Sequence, residues 1–440
     1  MTRERYGDER GAILIHVAIA MLGLLAFSAF VVDYGVLWAS RRQAQNVADA
    51  AALAGAASLA FDAPGDWDRA RLSAKAVGEA HAIFGVAPNI DQGNGFSDDI
   101  TQDISFPECP PGSGGGTCVR VNVHRDSSGS PLPTFFARLF GRLTQDVRAS
   151  ATAQVATGNQ IQCLLPFAVI DRWADNYDEN KDTRFYPNDA LPGVEGWSPN
   201  DRYQPDKGDV YIAPYEGNTD HTGWTVDGDY GRQLIIKDGN IGDYSTGWAQ
   251  LVYLPGSQGT NDIANDIWTC NESPVGIADK DLPCGKNEDR NEAAGCVAVK
   301  PGMAQRIAHE IKDYVSTVDP QARWDWNAPG PDGKSGAVVG GQGMSSPRIR
   351  PIVIFDINTY IESGCTGGTC RGKVANIIGF FVEGVCGDVA AAGQLDPGSQ
   401  CENPSKDIVG RIVKLPSTVF GGAGNVEESA AFLQVIRLVR

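Results

Sequence analysis

The sequence predicts an α+β chain: one long N-terminal transmembrane helix, then a β-rich, disulfide-stapled extracytoplasmic body. Three observations carry that prediction. Residues 11–32 (GAILIHVAIAMLGLLAFSAFVV) hold no Lys, Arg, Asp, Glu or Pro. At ~1.5 Å per residue they span roughly 30 Å, the thickness of a bilayer's hydrocarbon core. All ten cysteines follow that run, starting at Cys109, and none forms a Cys-x-x-Cys pair. Beyond Cys163 the chain becomes a series of short Val-, Ile- and Phe-rich runs between Gly, Pro and Asp, the pattern of buried strands.

The apolar run ends at Asp33-Tyr34-Gly35 and passes through Arg41-Arg42 into an alanine-dense stretch, AQNVADAAALAGAASLA. Residues Trp38 to Phe61 lack proline and carry small side chains at Ala44, Ala48, Ala51, Ala52 and Gly55, a slim face for close packing on another helix or a sheet. Asp62-Ala-Pro-Gly-Asp66 interrupts, with Asp66 placed to cap a second helix from Trp67 to about Phe84. A strand follows at Val119–Val123, a helix at Thr134–Phe140 and a strand at Asp146–Val155. Strand-length runs then recur at LLPFAVI, DVYIAPY, RQLIIK, AQLVYL, RIRPIVIFDI, ANIIGFFVEGV, DIVGRIVKL and AFLQVIRLV. Gly302–Val318 has helical spacing, and 187–209 and 327–347 are Pro/Gly-rich loops. The divisions are therefore 1–10 (tail), 11–61 (long helix), 62–158 (small α+β unit) and 159–440 (β-rich domain).

Composition narrows the function. With 42% hydrophobic and 21% charged residues the chain has material for a sizeable core, and 52 glycines and 25 prolines favour turns over a helical bundle. A net charge of −17 with no basic stripe argues against nucleic acid as a partner. The cysteines sit in loops: Cys109 and Cys118 around PPGSGGGT, Cys365 and Cys370 around TGGT, then Cys386 and Cys401. Short flexible spacers and an even count point to local disulfides in an oxidising compartment. The pairing of Cys163, Cys270, Cys284 and Cys296 stays open. Because the run is longer than a signal h-region and continues into more helix, it is read as a retained anchor. Arg3, Arg5 and Arg10 oppose Arg41 and Arg42, so charge alone does not orient the span. Cysteine placement does: a short cytoplasmic N-terminus and an external body.

Strings that imitate catalytic motifs fail on context. Asp126-Ser-Ser-Gly-Ser130 fits a D-x-S-x-S metal loop but follows Asn122, His124 and Arg125 rather than a buried strand. Gly333-Lys334-Ser335 lacks the first glycine of a phosphate loop, and His309-Glu310 is followed at the fourth position by Asp313, not histidine. No G-x-S-x-G elbow is present. The sequence thus predicts no enzyme and no cofactor. Its best ligand candidate is a calcium loop from Asp178, Asn180 and Asp182 with Asp189 at the twelfth position, although Thr183 stands where glycine makes the turn. His16, inside the apolar run, is a helix-packing candidate.

The string RGAILIHVAIAMLGLLAFSAFVVDYGVLWASRRQAQNVADAAALAGA resembles the N-terminal segment of the TadE/TadG-like Flp (tight-adherence) pilus-assembly proteins. The likeness rests on the glycine before the run, Asp33-Tyr34-Gly35 after it, and Gln43, Asn46 and the ADAAALA block beyond. Weaker likenesses appear in Thr134–Gly141 with VRASATAQV, in KPGMAQRIAHEI, and in SPRIRPIVIFD with GFFVEGV, which resemble larger, TadG-like members. The resemblance implies a pilin-like helix and a non-enzymatic component of a pilus assembly or secretion apparatus. It also implies a bacterial inner-membrane address, with residues 12–32 in the membrane and the body in the periplasm. Its partners would be other pilin-like membrane proteins, met through His16, Asp33, Ala48, Ala51, Ala52 and Gly55. Five residues after Gly11 stands His16, where cleavable pilins place the glutamate used in polymerisation, so a retained anchor fits better than a pilus subunit. The rival reading is a membrane-displayed adhesin or calcium-dependent ligand-binding module built on the 178–189 loop.

Overall fold

The structure, a computed structural model, describes residues 10–61, 67–91, 99, 101–110, 116–127, 130–175, 202–238, 244–245, 247–284, 289–300, 305–330, 334–364, 370–396, 399, 401–415, 420–423, 425–427 and 430–439. The chain divides into two compact units, one of residues 1–110, 117–155 and 436–440, the other of 111–116 and 156–435.

The first unit is organised by α1 (Arg10–Phe61), one unbroken helix of 52 residues. Nothing in that stretch breaks it, since proline is absent and alanine and leucine dominate. α2 (Trp67–Glu79) packs along its second half. This helix ends at Glu79, short of the predicted Phe84, and the chain then turns through Phe84 and Gly85, both at positive φ. β1 (Ile104–Ser105), β2 (Thr117–Arg125) and the first nine residues of β5 (Val147–Ile161) form an antiparallel sheet. Val119, Val121 and Val123 stand opposite Ala153, Ala151 and Ala149, and they share one core with the alanines of α1 and α2. Between β2 and β5 lies a two-strand clip of β3 (Leu132–Pro133) and β4 (Thr144–Gln145). The helix predicted over Thr134–Phe140 is only a 3-10 turn, Ala137–Phe140. Gly141 ends it at φ 80°, and the backbone before it is drawn to a side chain of α1 instead.

The second unit is β-rich. β6 (Phe167–Ile170), β7 (Gln233–Asp238), β8 (Trp248–Tyr253), β10 (Cys296–Lys300), β13 (Ile349–Phe355), β14 (Arg371–Val385) and β15 (Ile408–Val413) make one sheet; the short β9 (Val275–Gly276) pairs with β5. Its ladders return on themselves, β8 to β6 to β13 to β14 to β10 and back to β8. β14 manages this by length: residues 371–373 pair with β10, and 379–385 with β15. Within this sheet, among the described residues, only β6–β13 and β7–β8 are parallel. Both faces are covered, which explains why these strands read as continuous apolar runs. Phe167, Val169, Ile352, Ile354, Ile378 and Phe380 pack with α4 (Thr260–Trp268) and α5 (Gln305–Val318). Ala168, Ile170, Val353, Phe355 and Phe381 face a second core containing Trp173, Tyr203, Tyr211 and Trp248.

Two readings change here. Asp209–Tyr215 is not a named strand and makes only a bridge from Val210 to Ala174, because it lies over the core with Tyr211 and Tyr215 buried. The 327–347 segment contains a hairpin, β11 (Arg323–Pro329) with β12 (Ser335–Val339). Short helices α3 (Val226–Asp229), α6 (Ile357–Glu362) and α7 (Cys386–Ala391) fill the turns. β16 (Phe420–Ala423) and β17 (Gln434–Val439) both pair with β5, and β17 belongs to the first unit from Ile436 onward. Disulfides join Cys109–Cys118, Cys163–Cys270, Cys284–Cys296 and Cys386–Cys401. Cys370 is disulfide-bonded as well; its predicted partner Cys365 lies outside the described residues.

Candidate functional site

α1 has two halves with different surroundings. From Ile13 to Val32 every side chain but one is exposed, including Leu14, Leu22, Leu24, Leu25 and Phe27. The exception, Ala29, opens a covered stripe that continues through Asp33, Ser40, Ala44, Ala48, Ala51, Ala52, Ala56 and Ala60. Steps of four and seven keep Ala29 to Ala48 close to one face of the helix, and the further four-residue steps carry the stripe slowly around it. The small residues are there because α2 approaches closely. Its own small stripe, Ala70, Ala74 and Gly78, faces them, and Ser58 and Ser73 share a hydrogen bond of 2.6 Å across the crossing. A Cβ on Gly55 would sit 3.0 Å from Val119 Cγ1 and 3.2 Å from Ala74 Cβ, so even a methyl group there requires its neighbours to give way.

At the junction of the two halves stands Asp33. Its carboxylate accepts the backbone N–H groups of Phe135 (2.8 Å), Phe136 (3.0 Å) and Ala137 (2.6 Å). These are donors at the start of the 3-10 turn, where no preceding turn supplies acceptors. Asp33 therefore caps, from 102 residues away, a turn that has no side-chain cap of its own. One carboxylate fixes the 134–143 loop to the helix at the residue where the apolar run stops.

The second unit buries a different polar cluster. Asp171 and Asp356 directly follow the parallel neighbours β6 and β13, whose last residues Ile170 and Phe355 are paired. The Tyr211 hydroxyl donates to Asp171 (3.2 Å) and the Tyr215 hydroxyl to Asp356 (3.0 Å). Complete burial pushes the Asp171 carboxyl up to about 7, against the N–H groups of Trp224 and Arg172 and the Tyr211 hydroxyl, which favour its anion. Asp356 also caps α6 through Thr359 N–H (3.0 Å). The cluster ties loops to strand ends. Arg348 and Arg350 act alike, donating to backbone carbonyls that include Val382, Ala322, Leu164 and Ile267.

The predicted site residues are thus dispersed. Ala48, Ala51, Ala52 and Gly55 lie in the α1–α2–β2 core, Asp33 binds the 134–143 loop, and His16 sits on the exposed half of α1. Asp178, Asn180, Asp182 and Asp189 lie outside the described residues. Among the described residues no group of three His, Cys, Asp or Glu side chains is placed to hold a metal. Sequence reasoning missed Phe135–Ala137 as the partner of Asp33, and missed the Ala70/Ala74/Gly78 stripe. The second carried a signal, small residues at four-residue spacing; the first carried none.

Residues 11–58 match the family model described as putative Flp pilus-assembly TadE/G-like. The matched segment is similar to TadE/G-like ones. It covers the exposed half of α1, Asp33 and nearly all of the small-residue stripe, so the family pattern coincides with the two-part helix. The described residues include one helix long and apolar enough to cross a membrane, and it is this one. No curated protein and no solved structure gives a match to the chain.

Proposed function

We propose that the chain is a membrane-anchored, non-enzymatic component of a Flp pilus assembly or secretion apparatus. The observation that carries this is the TadE/G-like helix itself: it is bare and apolar for the length of a bilayer, then clamped into a folded unit. The N-terminus lies in the cytoplasm, residues 12–32 cross the inner membrane, and the disulfide-bonded body occupies the periplasm, where thiols are oxidised. The chain's length favours the larger, TadG-like type.

Function is exerted by contact. The small-residue face is filled by the chain's own α2 and β2, so partner helices meet α1 along its bare half, through His16 and the residues around Gly23, and assembly proteins meet the body. Two measurements test this together. Fusions of a periplasm-dependent phosphatase after Arg440 should be active, and a tagged chain should retain other pilus-assembly proteins after detergent extraction. An inactive fusion, or an isolated chain in the pull-down, would overturn the reading.

A further inference from the structure

We infer that the 134–143 loop is a second membrane contact, a collar seated in the headgroup region of an anionic bilayer beside the helix. This rests on the reading of residues 12–32 as the span. The covered stripe of α1 begins at Ala29, one turn before the apolar run ends, so the folded unit reaches roughly 5 Å inside it. Asp33 holds the loop at that level. The loop then presents Phe135 (48% exposed), Phe136 and Leu143 (67% exposed) to the outside. Phe84, on the neighbouring turn, meets Phe135 edge-on at 6.4 Å and is itself exposed.

Charge and backbone agree with that placement. In a chain of net charge −17 the loop carries Arg138 and Arg142, both exposed, and α1 adds Arg41 and Arg42 just beyond. Arg42 lies over the ring of the exposed Trp38, at 5.0 Å. Aromatic rings with cations beside them suit the interface of anionic lipid. A loop in that region must also satisfy its own polar groups. Phe135, Phe136 and Ala137 N–H groups are taken by Asp33, Thr134 donates to Leu143, Gly141 to Arg138 and Arg142 to Ala137. The apolar tips are therefore bare while the backbone behind them is paired.

The test uses the full chain in phosphatidylglycerol-containing vesicles, with a fluorophore on a single introduced thiol. Among the described residues no cysteine is free to compete. The variants are Phe135→Cys, Leu143→Cys, Leu24→Cys within the span and Asp68→Cys on α2. A nitroxide near the headgroups should quench the labels at 135 and 143 at least ~3-fold more than the label at 68, as an interfacial position requires. A nitroxide at the bilayer centre should quench the label at 24. If 24 is quenched while 135 and 143 behave like 68, the collar is refuted and the anchor stands. If 24 is not quenched either, the anchor reading fails. Labels at 135 and 143 shielded from both lipid nitroxide and aqueous iodide would mean a protein occupant, which also overturns the collar.

Discussion

Gly23 and Gly55 lie on the same helix and have opposite surroundings. A methyl group added at Gly23 meets nothing within 4 Å, whereas one added at Gly55 presses on Val119 and Ala74. Around Gly23 the side chains are large and bare; around Gly55 they are small and buried. The helix thus divides by residue size as well as by polarity, since Asp33, Arg41, Arg42 and Asp49 enter only after the apolar run. Large side chains stand where nothing from this chain covers them, and small ones where its own α2 must come close. Asp33 marks the change, turning a uniform rod into a span and a scaffold.

The comparison can be broken at that boundary first. Asp33→Ala leaves three partly buried backbone donors without their acceptor and should cost the first unit on the order of 3 kcal/mol, about 1 for each hydrogen bond lost. Denaturant unfolding in micelles followed by hydrogen exchange of the β2 amides reads this, and an unchanged protection pattern would refute the capping role. Gly55→Leu should follow at about 2–3 kcal/mol, the range for overpacking a close helix crossing. Gly23→Leu should move the same unit by less than about 0.5 kcal/mol; a shift as large as that of Gly55→Leu would erase the distinction between the halves.

Asp171→Asn should leave the first unit untouched and so serves as its control, but it should change the pH profile of the second. Burial holds the Asp171 carboxyl at about 7 in the folded state, above its ordinary value near 3.8. The folded state therefore keeps a proton that the unfolded state releases. The carboxyl's contribution to stability is full below about pH 4 and is lost as the pH rises towards 7. The asparagine variant should flatten that decline in thermal melts taken across the range. A parallel decline in both proteins would show that Asp171 is not its source.

Much of the framework was legible before any coordinates. The helix Arg10–Phe61 follows from composition and the lack of proline, and most of the strand-length runs beyond Cys163 became strands. The misreadings turn on contacts that composition does not show. Thr134–Phe140 has helical composition, but Asp33 caps only a short turn there and Gly141 ends it at φ 80°. Asp209–Tyr215 alternates like a strand, but its tyrosines are drawn to Asp171 and Asp356. In 327–347 the turn residues were visible, while the partner that makes a hairpin of them was not. Each reading failed where a turn geometry or a tertiary partner outbid local preference.

By itself the sequence determined that an apolar helix of bilayer length leads into an alanine-rich continuation, that the cysteines belong in oxidised loops, and that the rest is strand-rich. Those properties depend on composition and spacing along the chain. Only the tertiary structure decided what fills the small-residue face, which closes on α2 and β2 of the same unit. It alone also joined Asp33 to the 134–143 loop, because a hydrogen bond across 102 residues leaves no periodic trace in either segment.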